Sequence, residues 1–143
     1  MLTTVNSWIH YQRLECILAN NESMEMYLEV ILILENEHGH AHNVDVASRL
    51  GVSKASVTKA MKGLKQKGYI NKEAYGSITL TESGRKLSER IYQNHRMLSL
   101  FLENSLDLSY DEAAENACKI EHVLSDSMVQ AIELYLERNN IAF

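Results

Sequence analysis

The 143-residue sequence predicts a mainly α fold whose first part is a winged helix-turn-helix, and three observations carry the prediction. Apolar residues recur at helical spacing along most of the chain, which has no proline to interrupt them. A short helix, a tight turn holding Gly51 and a second helix follow one another as a helix-turn-helix requires. Seven basic residues (Arg49, Lys54, Lys59, Lys62, Lys65, Lys67 and Lys72) fall in a window from Arg49 to Lys72 that holds no Asp or Glu.

Residues 1–22 fit either a short extra helix, with Trp8, Ile9, Leu14, Ile17 and Leu18 as its stripe, or an extension that breaks at Asn20-Asn21. From Ser23 to Glu37 the i, i+3, i+4, i+7 pattern of Met24, Tyr27, Leu28, Ile31 and Leu34 predicts a helix, stopped by Gly39. Asn43 then caps a short helix through Leu50, with Val46, Ala47 and Leu50 inward. Gly51 sits where a left-handed residue ends such a helix. Ser53 caps the next helix, Lys54 to Lys67, whose inward stripe is Val57, Met61 and Leu64. A hairpin follows: one strand around Tyr69-Ile70, a turn at Ala74-Tyr75-Gly76, and a second strand from Ile78 to Leu80. Thr81 or Ser83 starts a long helix to about Asn104, with Leu87, Ile91, Leu98 and Leu102 inward. Ser109 to Glu112 reads S-x-x-E, a capping box, and opens a helix to about Leu124. Ser125-Asp126 caps a last helix to about Arg138.

The bulk composition narrows the function classes. Hydrophobic residues make up 45% of the chain, enough for a packed core. The longest apolar run, Val30 to Leu34, is far short of the ~20 residues that span a bilayer. Met1 to Asn20 lacks a basic stretch followed by a continuous apolar one, so no secretory signal is expected. Two cysteines, Cys16 and Cys118, make no disulfide framework, and the expectation is a cytoplasmic protein with reduced thiols. The net charge of −5 conceals a strong asymmetry: outside the basic window, seven Lys and Arg face all 19 Asp and Glu. Uniform sign over one helix sacrifices i,i+4 ion pairs, and points to a polyanionic partner rather than an ordinary solvated face.

In a helix-turn-helix the second helix enters the major groove with its N-terminal residues at base edges. Ser53, Lys54, Ala55, Ser56, Thr58 and Lys59 lie at that end, and Lys59 has the reach for guanine O6 and N7. Lys62, Lys65 and Lys67 lie farther along and are assigned to phosphates. Lys72 and Tyr75, on the wing, meet the flanking backbone.

A second constellation has metal-ligand chemistry. Cys118, Glu121 and His122 stand at i, i+3 and i+4, on one face of the expected helix. Met26 and Glu29 are one turn apart on the first helix, and His95 lies near the inward face of the long one. Each also has a plainer reading: Met26 as a gap-filling hydrophobe, His95 as a satisfied core histidine, Cys118 as a core cysteine.

From Ser23 to about Leu136 the chain resembles the diphtheria toxin repressor and manganese transport regulator family of metal-dependent repressors. The resemblance is carried by SMEMYLEVILIL (Ser23 to Leu34), VASRLGVSKASVTKAMKGLKQKGYI (Val46 to Ile70), ITLTESGRKL (Ile78 to Leu87), NHRMLSLFL (Asn94 to Leu102) and CKIEHVLSD (Cys118 to Asp126). It implies three parts: an N-terminal extension (1–22), a winged helix-turn-helix DNA-binding domain (23–82), and an all-helical metal-binding and dimerisation domain (83–143). The SH3-like third domain of the longer iron repressors is not expected. Met26, Cys118, Glu121 and His122 match the sulfur-containing ligand set of the iron-type repressors, whereas Glu29 and His95 match positions of the manganese type. Where the iron branch has further ancillary ligands, this chain has Ser99 and Ala114.

The resemblance implies a homodimer that binds a palindromic operator when loaded with a divalent transition metal and represses metal-uptake genes. Thioether and thiolate donors favour Fe(II) over Mn(II), with Mn(II) next, although Zn(II), Co(II) and Ni(II) bind such sites at least as well in vitro. The alternatives are a winged-helix regulator responding to a non-metal ligand or to redox change at Cys118, and a metalloenzyme. An enzyme is not expected, because a catalytic metal needs an open position and a substrate pocket, and no loop is long enough to build one.

Overall fold

The computed structural model describes residues 24–143, and the stripe from Trp8 to Leu18 lies outside the described residues. In order, the described elements are α1 (Met24–His38), α2 (Asn43–Leu50), α3 (Lys54–Gln66), β1 (Ile70–Lys72), β2 (Ile78–Leu80), α4 (Glu82–Leu106), α5 (Tyr110–Ile120), a 3₁₀ turn (Glu121–Val123) and α6 (Asp126–Arg138). The mainly helical fold with one small hairpin agrees with the sequence expectation. The chain divides into two compact units, one ending at Ser88 and the other running from Glu89 to Phe143. No helix among the described residues is long and apolar enough to cross a membrane.

In the first unit, α1 is buried on every side. All nine residues from Met26 to Leu34 are buried, Glu29 included. The amphipathic stripe expected from the sequence therefore understates its burial. An all-round apolar helix is a core helix, and Val30, Leu32 and Ile33 fill the sides that the i, i+3, i+4 pattern leaves open.

The expectation that Asn43 caps α2 is corrected: His42 holds the N-cap position without a side-chain cap bond, and the Asn43 side chain turns instead to Thr58 and Lys72. The turn itself is held by caps. The N–H of Gly51 and the N–H of Val52 (3.2 Å) both donate to the carbonyl of Ala47. Gly51 itself is left-handed, with φ of 64°, a conformation that glycine adopts without a Cβ clash. The Ser53 hydroxyl accepts from Ser56 N–H at 3.1 Å and opens α3. Val57, Met61 and Leu64 face inward, as their spacing predicts.

The hairpin pairs Ile70 with Leu80, Asn71 with Thr79 and Lys72 with Ile78, antiparallel, and places Ile70, Ile78 and Leu80 in the core. Its far end is docked by Glu35 of α1, whose carboxylate accepts from Leu80 N–H at 2.9 Å and pairs with Arg85. Thr81 caps α4 by accepting from Gly84 N–H at 3.1 Å, while its hydroxyl and that of Ser83 donate to the carbonyl of Gly68. Gly84 lies so close to the Tyr69 backbone that a Cβ there would stand 1.9 Å from the Tyr69 carbonyl oxygen.

In the second unit, the N-cap half of the expected capping box forms. Ser109 accepts from Glu112 N–H at 3.3 Å, and its hydroxyl donates to the Glu112 carboxylate at 3.1 Å. Ser125 caps α6 on Met128 N–H at 3.2 Å. The core joins Met97, Leu98 and Leu102 of α4 to Ala113 and Ala117 of α5 and Ile132 and Leu136 of α6. Phe101 and Tyr135 meet edge to face beside it, their centroids 5.1 Å apart.

Candidate metal centre and nucleic-acid interface

The α5 helix stops at Ile120, two residues before the last expected ligand, His122. Cys118 is therefore on the α-helix, while Glu121 and His122 lie in the 3₁₀ turn that follows. The expectation of one continuous helix through Leu124 is corrected here, and with it the reading of all three residues as one α-helical face. A 3₁₀ turn winds more tightly, so the i, i+3, i+4 relation no longer sets the direction of these side chains.

The turn aims the Glu121 carboxylate inward, where its side chain is 1% exposed. One carboxylate oxygen lies 2.5 Å from Nδ1 of His95 on α4, and the other lies 3.2 Å from Nε2 of His122. The His95 side chain is 14% exposed and that of His122 23%. Burying a carboxylate is costly unless hydrogen-bond donors replace its water, and here two imidazoles face it. In a neutral imidazole that donates from one nitrogen, the other carries a lone pair. A carboxylate behind a histidine is the arrangement that orients a metal-binding imidazole and raises its basicity. The structure thus brings together three of the six candidate ligands: His95, Glu121 and His122. Ser99, at the former ancillary position, donates its hydroxyl to the carbonyl of His95 at 2.8 Å and braces that turn of α4.

Cys118 is buried and disulfide-bonded. The expectation of reduced thiols does not hold at this residue: its sulfur is engaged in a bond to another sulfur and is not a thiolate. Met26 and Glu29 lie one turn apart on α1 in the first unit, both buried, and Met26 belongs to that unit's core cluster. Among the described residues, no three His, Cys, Asp or Glu side chains already stand as a formed metal cage.

The basic window resolves into two classes. Arg49 is tied to the Glu37 carboxylate by bonds of 2.5 and 3.4 Å, and its charge is thereby partly neutralised. Lys54, Lys59, Lys62 and Lys65 are exposed along α3 and Lys67 is exposed at its C-cap, while Lys72 is half-buried on β1 with its ammonium 3.4 Å from the Asn43 side chain. Ala55 is exposed at the start of α3. The hydroxyls at that end are partly committed. Ser53 caps the helix and lies 3.0 Å from the Ser56 hydroxyl, and Thr58 donates to the carbonyl of Lys54 at 2.9 Å. Thr58 on α3 and Asn43 on α2 also meet at 3.5 Å. Tyr75 stands at the wing tip, 93% exposed. Sequence alone does not reveal the Arg49–Glu37 pair, because the partners are 12 residues apart and on different helices.

Residues 21–78 match the family model described as iron dependent repressor, N-terminal DNA binding domain, and residues 81–140 match iron dependent repressor, metal binding and dimerisation domain. The chain belongs to the iron-dependent repressor family. Members of this family are metal-dependent transcriptional regulators rather than enzymes, and they pair a DNA-binding domain with one for metal binding and dimerisation. The chain is 34% identical over 119 residues to an uncharacterised HTH-type transcriptional regulator of Methanocaldococcus jannaschii, covering 82% of this chain and 95% of that one. It is 36% identical over 110 residues to the HTH-type transcriptional regulator MntR of Geobacillus kaustophilus, covering 77% of each. Among solved structures, ScaR with bound Cd2+ superposes with a TM-score of 0.74 at 30% identity, covering 81% of this chain and 54% of that one. A manganese-dependent transcriptional repressor in complex with manganese gives 0.71 at 29% identity, covering 80% and 53%. The match therefore spans about half the length of these two solved structures, and three quarters or more of these two curated relatives.

Proposed function

We propose that this repressor-family protein binds a palindromic operator as a homodimer when loaded with Fe(II), or next with Mn(II), and controls metal-uptake genes. The observation that carries the proposal is the buried Glu121 carboxylate set behind His95 and His122. The proposed ligand set is Met26, Glu29, His95, Cys118, Glu121 and His122. It offers imidazole, carboxylate and sulfur donors, a combination that suits a borderline divalent ion. When bound, the ion supplies a concentrated positive charge that holds donors from separate helices in one arrangement. The relatives named for manganese support a divalent metal, and the sulfur of Met26 and Cys118 favours iron within that class. A thiolate at Cys118 requires the reduced protein; in the oxidised protein this residue has only its carbonyl oxygen to offer.

On the DNA side, Lys54 and Lys59 at the start of α3 address base edges together with Ser53, Ala55, Ser56 and Thr58. Lys62, Lys65 and Lys67 neutralise phosphates, and Lys72 and Tyr75 hold the wing. A ligand that favours the binding-competent arrangement shifts its population only by its differential affinity, so metal stimulation measures that difference directly.

The test is anaerobic fluorescence anisotropy on a labelled promoter fragment from the source's own metal-uptake genes, using reduced protein with and without Fe(II) and Mn(II). Tight, salt-sensitive binding only with metal supports the proposal, and equal binding with and without metal refutes it. A second reading is favoured by the disulfide at Cys118: regulation by thiol redox change. It predicts that oxidation alters DNA binding in the absence of any metal, measurable by the same anisotropy with chelator present.

A further inference from the structure

His40 and His42 lie on the first unit beside the wing and are outside the ligand set and the DNA-contacting residues assigned above. They flank Ala41, which pairs with Ile78 of β2 through two backbone hydrogen bonds, Ala41 N–H to Ile78 O at 2.9 Å and Ile78 N–H to Ala41 O at 2.8 Å. Residues two apart on such an extended segment project from one face. Ala41 is fully buried, and the imidazoles of its two neighbours stand together toward the surface. Their ring centroids are 4.8 Å apart with planes at 82°.

The nitrogens are arranged for ligation. Nε2 of His40 lies 3.1 Å from Nε2 of His42. Nδ1 of His42 lies 3.2 Å from the carbonyl oxygen of Gly76 in the wing turn. A carbonyl only accepts, so Nδ1 of His42 carries the proton, and the lone pair of the neutral ring sits on Nε2, where it accepts from Nε2–H of His40; an ion would replace that hydrogen, the His40 proton moving to Nδ1 or to solvent. An N–H held by a backbone carbonyl, with the opposite nitrogen free to coordinate, is how ligating histidines are positioned. Two such nitrogens at the ordinary zinc distance of about 2.0–2.1 Å and a tetrahedral angle stand about 3.3 Å apart, close to the observed separation.

We propose that His40 and His42 form a second metal site on the DNA-binding unit, for a borderline divalent ion of the Zn(II) class. The donor set is two imidazoles without carboxylate or thiolate, which suits zinc, nickel or copper better than manganese. His38 faces Glu37 at 3.6 Å and stands outside the pair. Among the described residues no third side-chain ligand completes the site, so water fills the remaining positions and the ion is open to chelators. His42 immediately precedes α2 and holds the wing turn through Gly76, so an ion here braces the wing against the start of the helix-turn-helix. The inference is independent of the ligand set proposed above.

The test is equilibrium dialysis of the full chain against Zn(II) at pH 8. Wild type, His40→Ala, His40→Gln, His42→Ala and the double variant His95→Ala/His122→Ala are compared, with circular dichroism to check that each is folded. His40 is exposed and His42 half-buried, so the fold should survive. The expected result is one fewer bound ion per chain, or binding weakened about tenfold or more, in each His40 and His42 variant. The double variant should retain the ion that depends on His40. Wild-type zinc content in the His40 and His42 variants would overturn the proposal and reduce the pair to a ring–ring hydrogen bond. Zinc binding unchanged in His95→Ala/His122→Ala would instead count against the other site and leave this one standing.

Discussion

Nδ1 of His95 lies 2.5 Å from the Glu121 carboxylate, joining residues 26 positions apart in the second unit, with the carboxylate almost fully buried. Removing His95 should leave the buried Glu121 carboxylate with one of its two imidazole partners lost and His122 retained. His95→Ala is expected to destabilise the fold by about 1–3 kcal/mol, measured by urea denaturation. Glu121→Gln keeps the shape but not the charge, and it should weaken Mn(II) and Fe(II) binding about tenfold or more. Calorimetric titration giving wild-type affinity for Glu121→Gln would remove this carboxylate from the metal centre.

Gly84 and Gly63 should respond to alanine in opposite directions. At Gly84 the added Cβ meets the Tyr69 backbone, which cannot swing aside, so Gly84→Ala is expected to cost about 2–3 kcal/mol. At Gly63, inside α3, nothing lies within 4 Å of the added carbon. Relief of glycine's entropic cost should there stabilise the protein by roughly 0.5–1 kcal/mol. Thermal melts of the two variants check both signs together.

Ser109→Ala removes an N-cap and the hydroxyl's bond to the Glu112 carboxylate at once. A loss of about 1 kcal/mol is expected. Urea denaturation reports it, and a variant as stable as wild type would mean that water satisfies the first turn of α5 equally well.

The exposed lysines and the paired arginine should differ in DNA binding. Lys62→Ala or Lys65→Ala is expected to weaken binding across all sequences and to lower the salt slope by about 1 each. Arg49→Ala, its charge already turned to Glu37, should change the slope far less. Anisotropy at several salt concentrations separates the two, and an equal loss for Arg49 would place it on the DNA.

Glu115 is held below the ordinary carboxylate range, first by its hydrogen bond from Lys119 and then by the charge of that ammonium. A carboxylate lowered on folding contributes stability above its unfolded value and loses it as pH falls through the folded one. The stability gap between wild type and Lys119→Ala should therefore be small, present near neutrality and absent in acid. Thermal melts at several pH values check this, and a gap that persists in acid would point to a role for Lys119 other than its charge.

The turn at Gly51, the inward stripe Val57-Met61-Leu64, the caps at Ser53, Ser109 and Ser125 and the hairpin were determined by the sequence itself, whereas the cap of α2 and the end of α5 were not. The caps and stripes rest on interactions between residues at most five apart, and the hairpin on a short turn with pairs six to ten apart, where residue type alone sets the preference. The family and the six candidate ligands were legible for another reason: the motifs keep their order and spacing along the chain. Only the tertiary structure decided that α1 is buried all round, that Arg49 turns to Glu37, that Glu121 enters a 3₁₀ turn and faces His95, and that His42 reaches back to Gly76. These pairings join residues 12 to 34 positions apart or depend on which neighbours cover a helix face. They are settled by packing and by the need to satisfy buried polar groups, and local periodicity carries no record of either.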